Sequence, residues 1–194
     1  MQEINSLQKF VKDNGELQQF KTGQLISDRD KEPNDLHLII EGEARLIFKN
    51  FNKRSTLSKI GPGDFIGLAS LVTEINCEEV RSSSKLSTMK ISRNIFFEFI
   101  KKNTKFREFF NTNLFREEVA YLVELMLPEA PVNGISLKKI FDDLYKTSRI
   151  LNSNSEIENA IRGNDFVCVF SKDSYKSKII KVDSLNTFSK LKKE

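Results

Sequence analysis

The stretch Gly61-Pro62-Gly63-Asp64-Phe65-Ile66-Gly67-Leu68-Ala69-Ser70-Leu71-Val72, followed by Arg81-Ser82-Ser83, holds the residue types best suited to bind a ligand. Glycines at 61, 63 and 67 let the backbone turn tightly and approach a ligand closely. Leu68 to Val72 is apolar and long enough for one helical turn. A helix that starts after Gly67 exposes unpaired N–H groups and a partial positive charge, which attract a phosphate. Arg81 falls on the next predicted strand, where a guanidinium can grip a phosphate in bidentate fashion, and Ser82 adds a hydroxyl. The predicted phosphate-binding set is Gly67, Leu68, Ala69, Arg81 and Ser82, carried on a turn made of Gly63, Asp64, Phe65 and Ile66. Taken singly, Arg81 beside Glu78 and Glu79 also reads as a surface charge, and the glycines as ordinary turn residues. Their order carries the binding reading.

Catalysis is not expected. His37 is the only histidine, so a histidine metal cluster cannot be assembled. Cys77 and Cys168 are far apart and outside any zinc spacing. Two lone thiols read as small buried or half-buried side chains in a reducing, cytoplasmic compartment. No export signal opens the chain, and no apolar run approaches the roughly 20 residues that span a bilayer. The 194 residues suit one ordinary domain with a small appendage, and 39% hydrophobic content with 16 Phe is enough for a core. Residues 1–132 hold 19 Lys+Arg against 19 Asp+Glu, which leaves 12 against 8 for residues 133–194. The whole excess of positive charge therefore lies in the last third, at a density that a solvated tail explains as well as nucleic acid does.

The elements that must position the glycine-rich stretch follow from periodicity. Leu7, Phe10 and Val11 share a face of a short helix over residues 6–14, with Gly15 at its C′ position. From Leu17 to Ile91 short β-type runs alternate with turn residues such as Thr22-Gly23, Gly42 and Gly61-Pro62-Gly63. The period then switches. Ser92 caps a predicted helix with Ile95, Phe96, Phe99 and Ile100 at helical spacing. A longer helix is predicted from Thr104 to about Leu127, ended by Pro128 and Pro131, and its wide apolar stripe suits a second subunit or a fold-back onto the same chain. Beyond it, residues 136–147 are amphipathic, Ser155 to Glu158 has capping-box spacing, Gly163 is a stop, and Phe166–Phe170 and Lys178–Val182 read as strands. The expected class is α+β: an eight-stranded antiparallel β-roll (a jelly roll) flanked by helices over 1–132, plus a small C-terminal α/β segment over 133–194.

At the glycine-rich stretch the chain resembles the phosphate-binding cassette of the cyclic-nucleotide-binding domain family, which includes catabolite activator proteins, cyclic-nucleotide-dependent kinases and gated channels. The order strand, Gly-Asp-Phe-Ile-Gly, short helix, strand, Arg-Ser is similar, as are the flanking helices, over about residues 5–127. The resemblance implies a regulatory domain that takes a cyclic nucleotide or another phosphate-bearing ligand. One departure is large. The family's usual glutamate for the ribose 2′-hydroxyl is Leu68 here, which cannot accept that hydrogen bond. A buried polar group left unpaired costs about 1–3 kcal/mol, so affinity for an ordinary cyclic nucleotide falls roughly ten- to hundredfold.

The expected function is a regulatory ligand-sensing module, the N-terminal cytosolic region of a larger protein such as an ATP-binding-cassette exporter or a channel. A homodimer through the 104–127 helix and a membrane or transporter partner domain are the expected contacts. The alternatives are a catabolite-activator-type DNA-binding regulator and an interaction domain with a vestigial, ligand-free pocket. DNA is not the favoured partner, because the predicted 156–162 helix offers Glu156, Glu158, Asn159 and Arg162, too short and acidic a set for base readout.

Overall fold

A computed structural model describes residues 2–50, 53–126, 134–151, 153–163, 167–171 and 178–182. It divides the chain into two compact units, residues 1–148 and 149–194.

The first unit opens with α1 (Gln2–Asn14), followed by β1 (Glu16–Phe20), β2 (Leu25–Ser27), β3 (Asp35–Glu41), β4 (Ala44–Asn50), β5 (Lys53–Ile60) and β6 (Phe65–Ile66). Next come α2 (Leu68–Thr73), β7 (Glu79–Ser82), β8 (Leu86–Ser92), α3 (Arg93–Lys102), α4 (Thr104–Thr112), α5 (Arg116–Met126) and α6 (Gly134–Thr147). Eight antiparallel strands form two sheets, ordered β1-β8-β3-β6 and β2-β7-β4-β5, which is the predicted roll. Alternation along each strand decides what each face buries. Phe20, Ile39, Ile66 and Leu86 of the first sheet share a core with Ala44, Leu46, Phe48, Leu57 and Val80 of the second.

The first sheet is covered on its other face too. Leu36, Leu38 and Ile91 pack under Leu7 and Val11 of α1, Phe96 of α3 and Phe106 and Phe110 of α4. β3 is thus buried on both faces, which explains why its sequence runs apolar without alternation. The phenylalanines concentrate here: Phe10 stacks on Phe99 at 4.2 Å, and Phe99 meets Phe106 edge-on at 4.9 Å. Ser92 caps α3 as expected, its hydroxyl accepting from the Ile95 N–H. Ser92→Ala is expected to cost about 1 kcal/mol in equilibrium unfolding, and no change in the urea midpoint would refute the cap's contribution.

Two expectations change. The helix predicted from Thr104 to Leu127 is two helices, broken at Asn113, Leu114 and Phe115. The break lets the apolar stripe split: Phe106 and Phe110 serve the helical cluster, while Val119, Ala120 and Val123 of α5 enter the inter-sheet core. The stripe assigned to a second subunit is largely spent within the chain. The first unit also runs past the boundary expected at 132/133, because Leu137 and Phe141 of α6 complete that same core. Arg116 reinforces this join, stacked on Phe141 and Tyr145 and ion-paired to Asp142. Residues 127–133, with Pro128 and Pro131, lie outside the described residues.

The second unit holds α7 (Asn154–Arg162), β9 (Val167–Ser171) and β10 (Lys178–Val182), with the two strands paired antiparallel. Leu151, Ile157, Ala160, Ile161 and Val167 form its small apolar cluster. The capping box exists two residues earlier than predicted, between Ser153 and Glu156. Both serine registers have the required spacing, and Ser153 adopts the extended backbone an N-cap needs. Gly163 ends the helix as expected. The predicted strand start at Phe166 and the side chain of Cys168 lie outside the described placements.

No helix among the described residues is long and apolar enough to cross a membrane.

Candidate functional site

The glycine-rich stretch folds as a turn, a two-residue strand and a short helix. The Asp64 carboxylate accepts from the Gly61 N–H at 2.8 Å and closes the turn. Gly63, in the left-handed region, donates to Ile39 and accepts from Gln8 Nε2. β6 then pairs with β3, placing Ile66 opposite His37 and Phe65 opposite Leu38. Gly67 follows with φ 92°, and a Cβ there would sit 2.4 Å from the Asp35 carbonyl oxygen. Only glycine fits that position. α2 starts next, as predicted, and its Leu68 and Leu71 pack into the helical cluster. Leu68 is therefore a core residue, and Ala69 is buried beside it in the chain.

A cavity of about 190 Å³ opens beside Gly67. It is bounded by Ile26, Ser27 and Asp28 at the end of β2, by residues 31–35, and by His37, Ile66, Gly67 and Asn76. His37 is 6% exposed, lies edge-on to Phe20, and meets Thr88 Oγ1 through Nδ1 at 3.2 Å. Burial pushes its pKa down to about 4, so the ring is neutral at physiological pH.

Arg81 and Ser82 do not join this cavity's lining. Alternation along β7 explains why: Val80 points into the inter-sheet core, so Arg81 points away from it. The Arg81 guanidinium donates to Glu79 Oε1 at 3.0 Å and to the Gly23 carbonyl at 3.4 Å. Ser82 is fully buried and donates to the Lys21 carbonyl.

The parity that turns Arg81 outward turns Glu78 inward. Glu78 is 1% exposed, with the Ser70 hydroxyl 3.3 Å from Oε1. Burial pushes its carboxyl up to about 8, and the nearby Glu117 adds to this. The Gly67 N–H, the Ser70 hydroxyl and the charge of Arg29 act in the opposite sense.

Arg29 ties the cavity's loop to the helices. Its guanidinium donates to the Cys77 carbonyl at 3.1 Å, lies 5.3 Å over the Tyr121 ring, and is ion-paired with Glu124 of α5. Asn76 Nδ2 donates to the carbonyls of Asp28 and Lys31 and holds the same loop from the α2 side. Cys77 is buried and free, and burial pushes its thiol well up, so it is an inert side chain. Among the described residues no cluster of His, Cys, Asp and Glu could hold a metal ion.

Sequence reasoning missed Arg29, His37, Asn76 and Glu78. The signals were faint but present. His37 interrupts an apolar run buried on both faces, and Glu78 shares the parity of Val80.

Residues 17–103 match the family model of the cyclic nucleotide-binding domain. No curated protein matches the chain significantly. Among solved structures, the chain is similar to a cyclic nucleotide-binding-like protein from Brucella abortus, at 18% identity and TM-score 0.42, over 48% of this chain and 81% of that one. It is also similar to the regulatory subunit of a cAMP-independent protein kinase A from Trypanosoma brucei, at 17% identity and TM-score 0.46, covering 63% and 47% of the respective chains. A third is the catabolite activator protein of Thermus thermophilus, at 16% identity and TM-score 0.45, covering 75% and 59%. The chain thus spans less than two thirds of the length of the last two.

Proposed function

We propose that this chain is a regulatory ligand-sensing module that acts by binding and not by catalysis. The carrying observation is Arg29, one residue from the cavity wall at Asp28 and held by the ring of Tyr121 and the carboxylate of Glu124 in α5. A ligand that shifts the loop over the cavity must strain or release those contacts, and α5 feels it. Gly67 offers a second route, since it is both cavity wall and start of α2, which packs on α5.

Hydrogen exchange on Arg29→Gln tests the relay. Faster exchange is expected together in residues 28–34 and in α5, because one side chain holds both. Faster exchange confined to the loop, with α5 unchanged, would remove the basis for a sensor that signals through these helices.

A further inference from the structure

We propose that the outer face of the second sheet, centred on Arg45, binds a phosphate-type dianion, either inorganic phosphate or the phosphate monoester group of a small molecule. Arg45 lies outside the lining of the cavity beside Gly67, so this site and the sensor reading stand or fall separately.

Ala44, Leu46 and Val80 enter the inter-sheet core, so Arg45 of β4 and Arg81 of β7 face the other way. Arg45 stands in register with Arg81 on one side and with Lys59 of β5 on the other. Residues directly opposite on antiparallel strands share a face, with Cβ atoms roughly 4.5–5.5 Å apart. Three cations therefore form one row across three neighbouring strands. Like charges placed opposite one another weaken a sheet, so the row calls for negative charge.

The chain supplies that charge at the two ends of the row and not at its middle. Arg81 donates to Glu79 Oε1 at 3.0 Å, an oxygen it shares with Arg54, and Lys59 pairs with Glu43 at 2.8 Å. Arg45 has no ion pair among the described residues, and its Nε is buried without a hydrogen-bond partner. A half-buried guanidinium with no acceptor carries a desolvation cost that a bound anion would offset. Four cations (Lys59, Arg45, Arg81 and Arg54) against two carboxylates (Glu43 and Glu79) leave an excess of two positive charges.

That excess selects the ligand class. A planar carboxylate occupies a single guanidinium fork. A tetrahedral dianion matches the two charges and can present oxygens to Arg45, Arg81 and Lys59 together. The row is open to such a group, since the Lys59 side chain is 68% exposed and that of Arg81 28%.

NMR of the arginine Nε–H groups and the backbone amides in the full chain reads the site directly. The probes are inorganic phosphate and methyl phosphate, each compared with sodium chloride at equal ionic strength to separate binding from screening. A saturable shift of the Arg45 Nε–H signal is expected with a phosphate and not with chloride, while the amides of His37 and Gly67 stay in place. Saturation by methyl phosphate supports the ester source, and saturation by inorganic phosphate alone supports the free ion. Arg45→Gln, followed at the Arg81 Nε–H, should weaken phosphate at least about tenfold. Because it relieves the like-charge row, its urea midpoint in chloride should equal or exceed that of the unaltered chain, which keeps lost binding apart from lost folding. Lys9→Gln removes the same charge from an exposed position on α1 and should bind phosphate unchanged. Chloride reproducing the phosphate shifts, or no saturation with either phosphate, would overturn the site. So would shifts at His37 and Gly67 in place of Arg45, an unaltered affinity in Arg45→Gln, or an equal loss in Lys9→Gln.

Discussion

Gly67→Ala is expected to lower the unfolding free energy by about 3 kcal/mol or more, a large share of the roughly 5–15 kcal/mol that holds a domain folded. Two costs add. The backbone at φ 92° carries a left-handed penalty of about 1–2 kcal/mol for any residue with a Cβ. The new methyl would also lie 2.4 Å from the Asp35 carbonyl oxygen, a backbone atom of β3 that cannot swing aside. Forcing such a contact costs about 1–3 kcal/mol. Gly23→Ala is the matched control, since Gly23 has φ 81° but nothing within 4 Å of a Cβ. It should show only the backbone part. Urea unfolding of both variants separates the terms, and equal losses at the two positions would disprove the close approach of Gly67 to β3. The same contact places the start of α2 against the cavity wall.

Stability is expected to fall by about 2 kcal/mol between pH 6.5 and pH 8, and Glu78→Gln should remove much of that fall. Burial pushes Glu78 up to about 8 and Glu118 to about 7, and it raises Glu117 as well. The folded chain therefore holds protons on these carboxyls that the unfolded chain, titrating near 4.5, has released. Their contribution is fully present below pH 4.5 and is lost as pH rises through 7 and 8. His37 works in the opposite direction. Its value is lowered from 6.5 to about 4, so its contribution is present above pH 6.5 and is lost as pH falls through 4. The two effects oppose each other in mildly acid solution. Between pH 6.5 and 8 the carboxyls act alone, and one group titrating over that span accounts for the figure given. Unfolding free energies that stay flat across this window, or an identical slope in Glu78→Gln, would contradict a buried Glu78.

Local pattern was enough for most elements. The strand runs, the Ser92 cap, the turn at Gly61 to Asp64 and the helical turn after Gly67 are set by period and by glycine or serine geometry within a few residues. The same reading failed where two local solutions were equally good, as for Ser153 against Ser155. It failed again at the 104–127 stripe, because only packing on the sheets rewards a break at Asn113 to Phe115.

The site divides the same way. The sequence by itself determined that a glycine hinge would open a short helix after residue 67. It could not determine which side chains face that hinge. Arg81 and Glu78 differ by an odd number of positions, so the register of β7 against β4 decides which one points inward, and that register is a long-range property. Arg29, His37 and Asn76 reach their partners across some fifty residues of chain, at separations of 48, 51 and 48. Such contacts exist only once both sheets have closed, because no local propensity favours them. Tertiary structure alone decided that Glu78 is buried while Arg81 turns out to Glu79, and that Asp28, Glu32 and Asp35 line the space beside the hinge.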